Sequence, residues 1–271
     1  MARAQANGIE IEYESRGSGP SLVLINGYGS SHRSWRREFL AILARDLRIT
    51  TFANRGTGGS SQPGEPWSLA DFARDTVALI DALGLHTTHL LGLSMGGMIA
   101  QEVALQAPSR IERLILADTH CGPRTAAPSP PWVSEAFALD PQLTRREQAA
   151  KARPAVYSEG FLASSGDWLE SEFERLEPFL APPSILAWQL SAIREWDAFE
   201  RLPKIRQRTL IIHGSEDLLV LPENGKVLAE RIPNAVLELV EGSGHVPMSE
   251  QPEVTAGLVR DFLLSDDGHV A

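Results

Sequence analysis

Two kinds of hydrophobic patterning divide this chain. Up to about residue 120, and again from about residue 207, short apolar runs alternate with stretches of helical spacing; between them only helical spacing is found. Residues 8–13 alternate apolar and polar side chains, which predicts an edge strand with one wet face. Residues 22–25 and 114–117 are apolar throughout, the pattern of strands buried in a parallel sheet with helices on both sides. Further strands are predicted at 48–52, 89–93, 209–214 and 235–239, and helices at 34–44, 69–83, 95–106, 222–232 and 252–264. The alternation implies an α/β fold with a mostly parallel sheet of about eight strands flanked by helices.

From Cys121 to Arg206 the reading changes. Pro123, Pro128, Pro130 and Pro131 mark a linker. Leu169, Phe173, Leu176 and Leu180 are spaced to form an apolar stripe on one helix, and Leu186, Leu190 and Ile193 form another. The chain therefore divides into a core, 1–120 with 207–271, and an inserted helical lid, 121–206. The tail after Leu264 is expected to fray.

The sharpest local signal is Leu90-Leu91-Gly92-Leu93-Ser94-Met95-Gly96-Gly97-Met98-Ile99, an apolar strand that turns into a helix with Ser94 at the apex. Gly92 and Gly96 flank the serine at two residues' distance, where a side chain would meet the neighbouring strand or helix; the segment reads as a nucleophile elbow. A serine hydroxyl is a weak nucleophile until a base takes its proton, so the elbow calls for a histidine and a group to orient it. Of seven histidines, His32, His120, His213 and His245 fall near carboxyl ends of predicted strands. His213 lies inside a strand run and reads as a core residue, while His32 and His120 read as pocket-lining or surface residues. His245, in the loop Gly242-Ser243-Gly244-His245 after the last strand, is the predicted base. Asp217, 28 residues earlier on the loop after the preceding strand, is the predicted acid. Adjacent Glu216 would point the other way. Asp118, which ends the strand after the elbow, is the rival acid, its alternative reading a helix cap or lid hinge. The oxyanion of an acyl-transfer intermediate needs two backbone N–H donors, here assigned to Met95, at the start of its helix, and Tyr28, in the loop Asn26-Gly27-Tyr28-Gly29.

Composition narrows the classes of partner. The 271 residues suffice for one large domain with an insertion. A net charge of −10, with 25 Lys and Arg scattered along the chain, argues against nucleic acid or an anionic membrane. No apolar run reaches transmembrane length, and residues 1–8 lack the apolar segment of a signal peptide. The single Cys121 fits a reducing compartment, so a cytoplasmic protein is expected. No Cys/His cluster has zinc spacing, so no metal is expected.

Five segments carry a family resemblance: Leu24-Ile25-Asn26-Gly27-Tyr28-Gly29, Asn54-Arg55-Gly56-Thr57-Gly58-Gly59-Ser60, Gly92-Leu93-Ser94-Met95-Gly96-Gly97-Met98, His213-Gly214-Ser215-Glu216-Asp217 and Gly244-His245. On these the chain resembles α/β-hydrolases of the lidded bacterial esterase type, in particular 3-oxoadipate enol-lactone hydrolases and cofactor-free haloperoxidase-like esterases. The resemblance implies acyl transfer from a small-molecule ester or lactone to water, without cofactor, by Ser94, Asp217 and His245. Departures from the family pattern are Asn26, where many members have His, Asn54, where they have Asp, and Arg208, where a proline is common. Ser94 counts against the relatives on this fold that use an aspartate nucleophile. A C–C bond hydrolase or perhydrolase would keep the same triad, and a ligand receptor with slow turnover is the rival of another class. Trp35, Trp132, Trp168, Trp188 and Trp196 read as core or as pocket borders, and an apolar, aromatic lid favours small to medium uncharged esters over anionic ones.

Overall fold

The structure is a computed structural model that describes residues 1–64 and 66–265; the tail from 266 onward lies outside the described residues. Eight strands form one sheet: β1 (Ala2–Ala6), β2 (Ile9–Arg16), β3 (Ser21–Ile25), β4 (Arg48–Phe52), β5 (Thr88–Leu93), β6 (Ile111–Ala117), β7 (Arg208–Gly214) and β8 (Ala235–Val240). Their order is β1-β2-β4-β3-β5-β6-β7-β8. The two pairings made by β2 are antiparallel and all others are parallel.

The alternating segment at the amino end is thus not the edge. β1 covers it, joined through Asn7 and Gly8 at φ 48° and 77°, the left-handed pair that a tight hairpin turn requires. Asn-Gly was the available signal for this hairpin; β1 itself, Ala-Arg-Ala-Gln-Ala, carries no large apolar residue to announce it.

The buried strands sort their side chains by parity. Val23, Ile25, Leu90, Leu114, Leu116 and Ile211 face one layer, with α2 (Leu69–Ala82) and α3 (Met95–Gln106). Leu22, Leu24, Leu91, Ile115, Leu210 and Ile212 face the other, with α1 (Arg37–Leu43) and α11 (Pro252–Leu264). α3 runs across the middle of the sheet and is buried from Met95 to Ala104, so its position is fixed on every side. α1 starts later than the spacing predicted. Ser31 caps a separate short turn over His32–Ser34, and the backbone stays extended at Trp35 and Arg36 before the helix begins.

Between β6 and β7 the described residues contain helices and no strand: α4 (Pro131–Phe137), α5 (Arg145–Val156), α6 (Glu159–Ser164), α7 (Gly166–Leu176) and α8 (Pro183–Glu195). The remaining helices are α9 (Glu223–Arg231) and the one-turn α10 (Pro247–Glu250). The stripe expected to reach Leu180 stops at Leu176, because Pro178 lies in a tighter turn that ends the helix first. The tryptophans divide. Trp35 and Trp168 border the cavity described below, Trp132 is exposed, and Trp196 is buried with its N–H on Glu102. Trp188 packs edge-on against Trp67, which in turn meets Phe72.

Candidate active site

The turn between β5 and α3 holds Ser94 at φ 57°, ψ −121°, a backbone region that side-chain-bearing residues avoid at a cost of about 1–3 kcal/mol. The surroundings enforce it. The Ser94 N–H donates to the Ala117 carbonyl at 2.8 Å, and the Ser94 carbonyl accepts from Gly97 N–H and the Thr119 hydroxyl, each at 2.8 Å. The predicted need for glycine on both sides is met by close approach: a Cβ on Gly92 would overlap the Gly96 carbonyl, and one on Gly96 would overlap the Ile25 carbonyl. Strand end, helix start and neighbouring strand therefore touch through backbone alone.

Across the sheet edge, the loops after β7 and β8 bring Asp217 and His245 together. His245 Nδ1 lies 2.8 Å from Asp217 Oδ2. The other carboxylate oxygen, Oδ1, accepts the backbone N–H groups of Leu219 and Val220, both at 2.9 Å. Burial by itself would raise the Asp217 pKa, but attraction to His245 and hydrogen bonds from His213 and His245 bring it down to about 2. Asp217 is thus anionic, fixed, and bonded to one ring nitrogen of His245. Adjacent Glu216 is exposed. Ser94 and His245 line one cavity of about 250 Å³, together with Gly27, Tyr28 and Trp35.

Asp118 caps no helix. It is fully buried at φ 45°, its Oδ1 accepts the Gly214 N–H at 2.9 Å, and its Oδ2 has no hydrogen-bond partner. Ligand atoms of Asp118, Asp217 and His245 all lie within 4.8 Å of one another. Two carboxylates this close and this dry cannot both be charged. Asp217 has four donors around it and keeps the charge. Asp118 is raised well above the ordinary carboxylate range, by burial first and then by the Asp217 charge.

A family model described as the alpha/beta hydrolase fold matches residues 20–252. The chain belongs to the alpha/beta hydrolase fold family. It is 30% identical to a poly(3-hydroxyalkanoate) depolymerase of Ectopseudomonas oleovorans, over 89% of this chain and 83% of that protein. A hydrolase structure from Pseudomonas aeruginosa superposes with a TM-score of 0.83 at 30% identity, covering 97% of this chain and 98% of that one. A malate-bound thermophilic esterase from Thermogutta terrifontis superposes with a TM-score of 0.82 at 25% identity, covering 97% of each chain.

In this α/β-hydrolase, Met95 opens α3, so its N–H is among those a helix leaves without an intrahelical acceptor. Among the described residues neither that N–H nor the Tyr28 N–H donates to the protein. The departures Asn26 and Asn54 bond in series, Asn54 Nδ2 to the Asn26 carbonyl at 3.3 Å and Asn26 Nδ2 to the Phe52 carbonyl at 3.2 Å, which ties the Tyr28 loop to β4. His32 is not pocket-lining; it is buried beside Glu12, with 3.8 Å between Nδ1 and Oε2. His213 is more than a core residue, since its Nε2 lies 2.7 Å from the Val220 carbonyl and 3.4 Å from Asp217 Oδ2.

Sequence reasoning missed three anchors. Gln189, on α8, accepts the Gly29 N–H at 2.8 Å and so braces the Tyr28 loop from above. Glu250 accepts the Gly244 N–H at 2.9 Å and the Ser158 hydroxyl at 2.6 Å, joining the histidine loop to the inserted helices. The Val156 carbonyl accepts the His245 N–H at 2.8 Å. A polar residue on an otherwise apolar helix face was the available signal for Gln189; Glu250 carried none.

Proposed function

We propose that this protein is a serine hydrolase that cleaves carboxylic esters or lactones of small to medium size, with Ser94 as nucleophile, His245 as base and Asp217 as the acid that orients it. One observation supports this above the rest: a serine held in a strained turn shares a cavity with a histidine whose far ring nitrogen is bonded to a buried, ionised aspartate. In this reading the Asp217 carboxylate fixes the proton of His245 on Nδ1 and leaves Nε2 free to accept the Ser94 proton. Ser94 Oγ attacks the carbonyl carbon, and the Met95 and Tyr28 N–H groups hold the oxyanion. Each such donor contributes about 3 kcal/mol to the transition state. His245 returns its proton to the leaving oxygen, and water repeats the sequence on the acyl-enzyme. These side chains and water complete the chemistry without a cofactor.

The helices between β6 and β7 serve, in the same reading, as a lid of residues 121–206 over a core of 1–120 and 207–271. Among the described residues no helix is long and apolar enough to cross a membrane. We assign the enzyme to the cytoplasm, in keeping with its single, buried Cys121. The test is steady multiple turnover on a 4-nitrophenyl ester, lost in Ser94→Ala. A single slow burst in the unaltered protein would instead mark a ligand receptor.

A further inference from the structure

Ser94 lies between two cavities. The smaller holds His245 and is walled by Trp35, Tyr157, Trp168 and Phe179. The larger, of about 510 Å³, shares Ser94, Tyr28, Phe137 and Leu219 with it but not His245. A leaving group must take its proton from His245, so it departs through the smaller cavity. The acyl group that stays on Ser94 then occupies the larger one.

The larger cavity has an unusual electrostatic lining. The chain carries 35 Asp and Glu against 25 Lys and Arg, yet no carboxylate lines this space; its ionisable groups are Tyr28, His120 and Arg194. Asn224 and Ser129 there are engaged, Asn224 Oδ1 accepting the Ala127 N–H, Asn224 Nδ2 donating to the Leu221 carbonyl and the Ser129 hydroxyl donating to the Leu219 carbonyl, and Ser134 is exposed and uncharged.

His120 is held rigidly. Its Nδ1 accepts the Gly122 N–H at 3.0 Å and its carbonyl accepts from Gln101 at 3.0 Å, while the preceding Thr119 is bonded to the carbonyl of Ser94. Burial first, then repulsion from His245, lowers its pKa to about 4, so the ring is neutral at pH 7 with its one proton on Nε2. Arg194, in the last turn of α8, makes no hydrogen bond or ion pair among the described residues. Burial raises the Tyr28 phenol, and the Arg194 charge offsets part of that rise, which sets the guanidinium near the same space.

We propose that the larger cavity takes an acyl chain ending in a carboxylate, received by Arg194 and the His120 Nε2–H, so that the preferred substrates are half-esters of dicarboxylic acids. The assignment rests on the serine-hydrolase reading and reverses the expectation of uncharged substrates drawn from the aromatic lid. Hydrolysis of such a half-ester adds water across the acyl–oxygen bond and releases an alcohol and a dicarboxylate.

The experiment compares mono-4-nitrophenyl adipate with 4-nitrophenyl hexanoate, which have acyl chains of equal length. The adipate should have the higher kcat/KM at low salt, by roughly fivefold or more, through KM. Half-molar salt should shrink the advantage, and Arg194→Met should lower the ratio of the two kcat/KM values. Arg194 is exposed, so this variant is expected to fold. His120→Ala should lower the same ratio. Equal kcat/KM for the two esters, or a ratio unmoved by Arg194→Met, would overturn the subsite and leave Arg194 a solvated cation at a helix end while ester hydrolysis stands. Turnover of neither ester would overturn the hydrolase reading and the subsite with it.

Discussion

Below the cavity, the ends of β3, β5, β6 and β7 set Gly27, Ser94, Thr119 and Asp217 in place mostly by backbone contact. Missing Cβ atoms at Gly92, Gly96 and Gly214 let carbonyls touch, and main-chain hydrogen bonds fix the Ser94 turn. Above the cavity, the inserted helices meet this floor through a few side chains and one main-chain bond: Gln189 on Gly29, Glu250 between Ser158 and Gly244, Arg175 donating to the Arg33 carbonyl, and the Val156 carbonyl accepting the His245 N–H. The floor is over-determined, because each strained torsion is held from several sides. The roof adds a few polar contacts to apolar packing in which Ile185 and Trp196 join the core cluster of β3 and α3, and each polar contact is replaceable at small cost. Chemistry that must not move belongs to the first, and selection among substrates to the second.

Substitutions should separate the two regions. The largest effect is expected for Ser94→Ala, a loss of about 10⁵-fold or more in kcat on a 4-nitrophenyl ester, with the thermal midpoint little changed. Asp217→Asn should lose about 10⁴-fold, since the tautomer of His245 is no longer fixed. Asp118→Asn should lose less than about tenfold at pH 7, because burial and the Asp217 charge already disfavour the ionised form of Asp118. The opposite ranking of the two aspartates would identify Asp118 as the acid. Gly96→Ala tests the floor by sterics: its Cβ overlaps backbone that cannot yield, and about 3 kcal/mol or more of stability should be lost, read as a large drop in thermal midpoint or as insoluble protein. In the roof, Gln189→Ala should leave the midpoint within a few degrees and lower kcat by roughly threefold to tenfold, the value of one hydrogen bond bracing the Tyr28 loop.

The smallest effect is on stability against pH, where the two carboxylates have opposite signs. The lowered pKa of Asp217 contributes stability above its unfolded value and loses it as pH falls from near 4 towards 2. Asp118 holds its proton in the fold while the unfolded chain releases it, so its cost grows as pH rises above the unfolded value. Asp118→Asn should therefore gain stability over the unaltered protein as pH rises above about 4, read as a difference in urea midpoints. A constant difference would mean that Asp118 is ionised in the fold.

What could be read from the sequence follows the same division. Gly92, Ser94 and Gly96 announce themselves because they fall within five residues of one turn, where Gly92 meets the Gly96 carbonyl, although the Ile25 carbonyl that Gly96 meets comes from a distant strand. Asp217 and His245 were legible as polar residues at strand ends, and the structure brings them into contact. The first strand was missed although Asn7-Gly8 marks its turn, because its own residues carry no apolar signal. The partners of Gly29 and Gly244 were not legible, since they come from Gln189, 160 residues away, and from Glu250, whose other contact is Ser158, 92 residues away. The raised pKa of Asp118 was beyond reach for a related reason: it is set by burial and by a second carboxylate that only the folded chain brings near.

The central claim is that the hydroxyl of residue 94 alone, among all those in the chain, is made nucleophilic. Treating the folded protein with a fluorophosphonate and mapping the adduct by peptide mass spectrometry tests it most directly. One adduct per chain, on Ser94, absent from Ser94→Ala and much slower to form in Asp217→Asn, is the predicted result. An adduct on another residue, or undiminished labelling of the Ser94→Ala protein, would contradict the account.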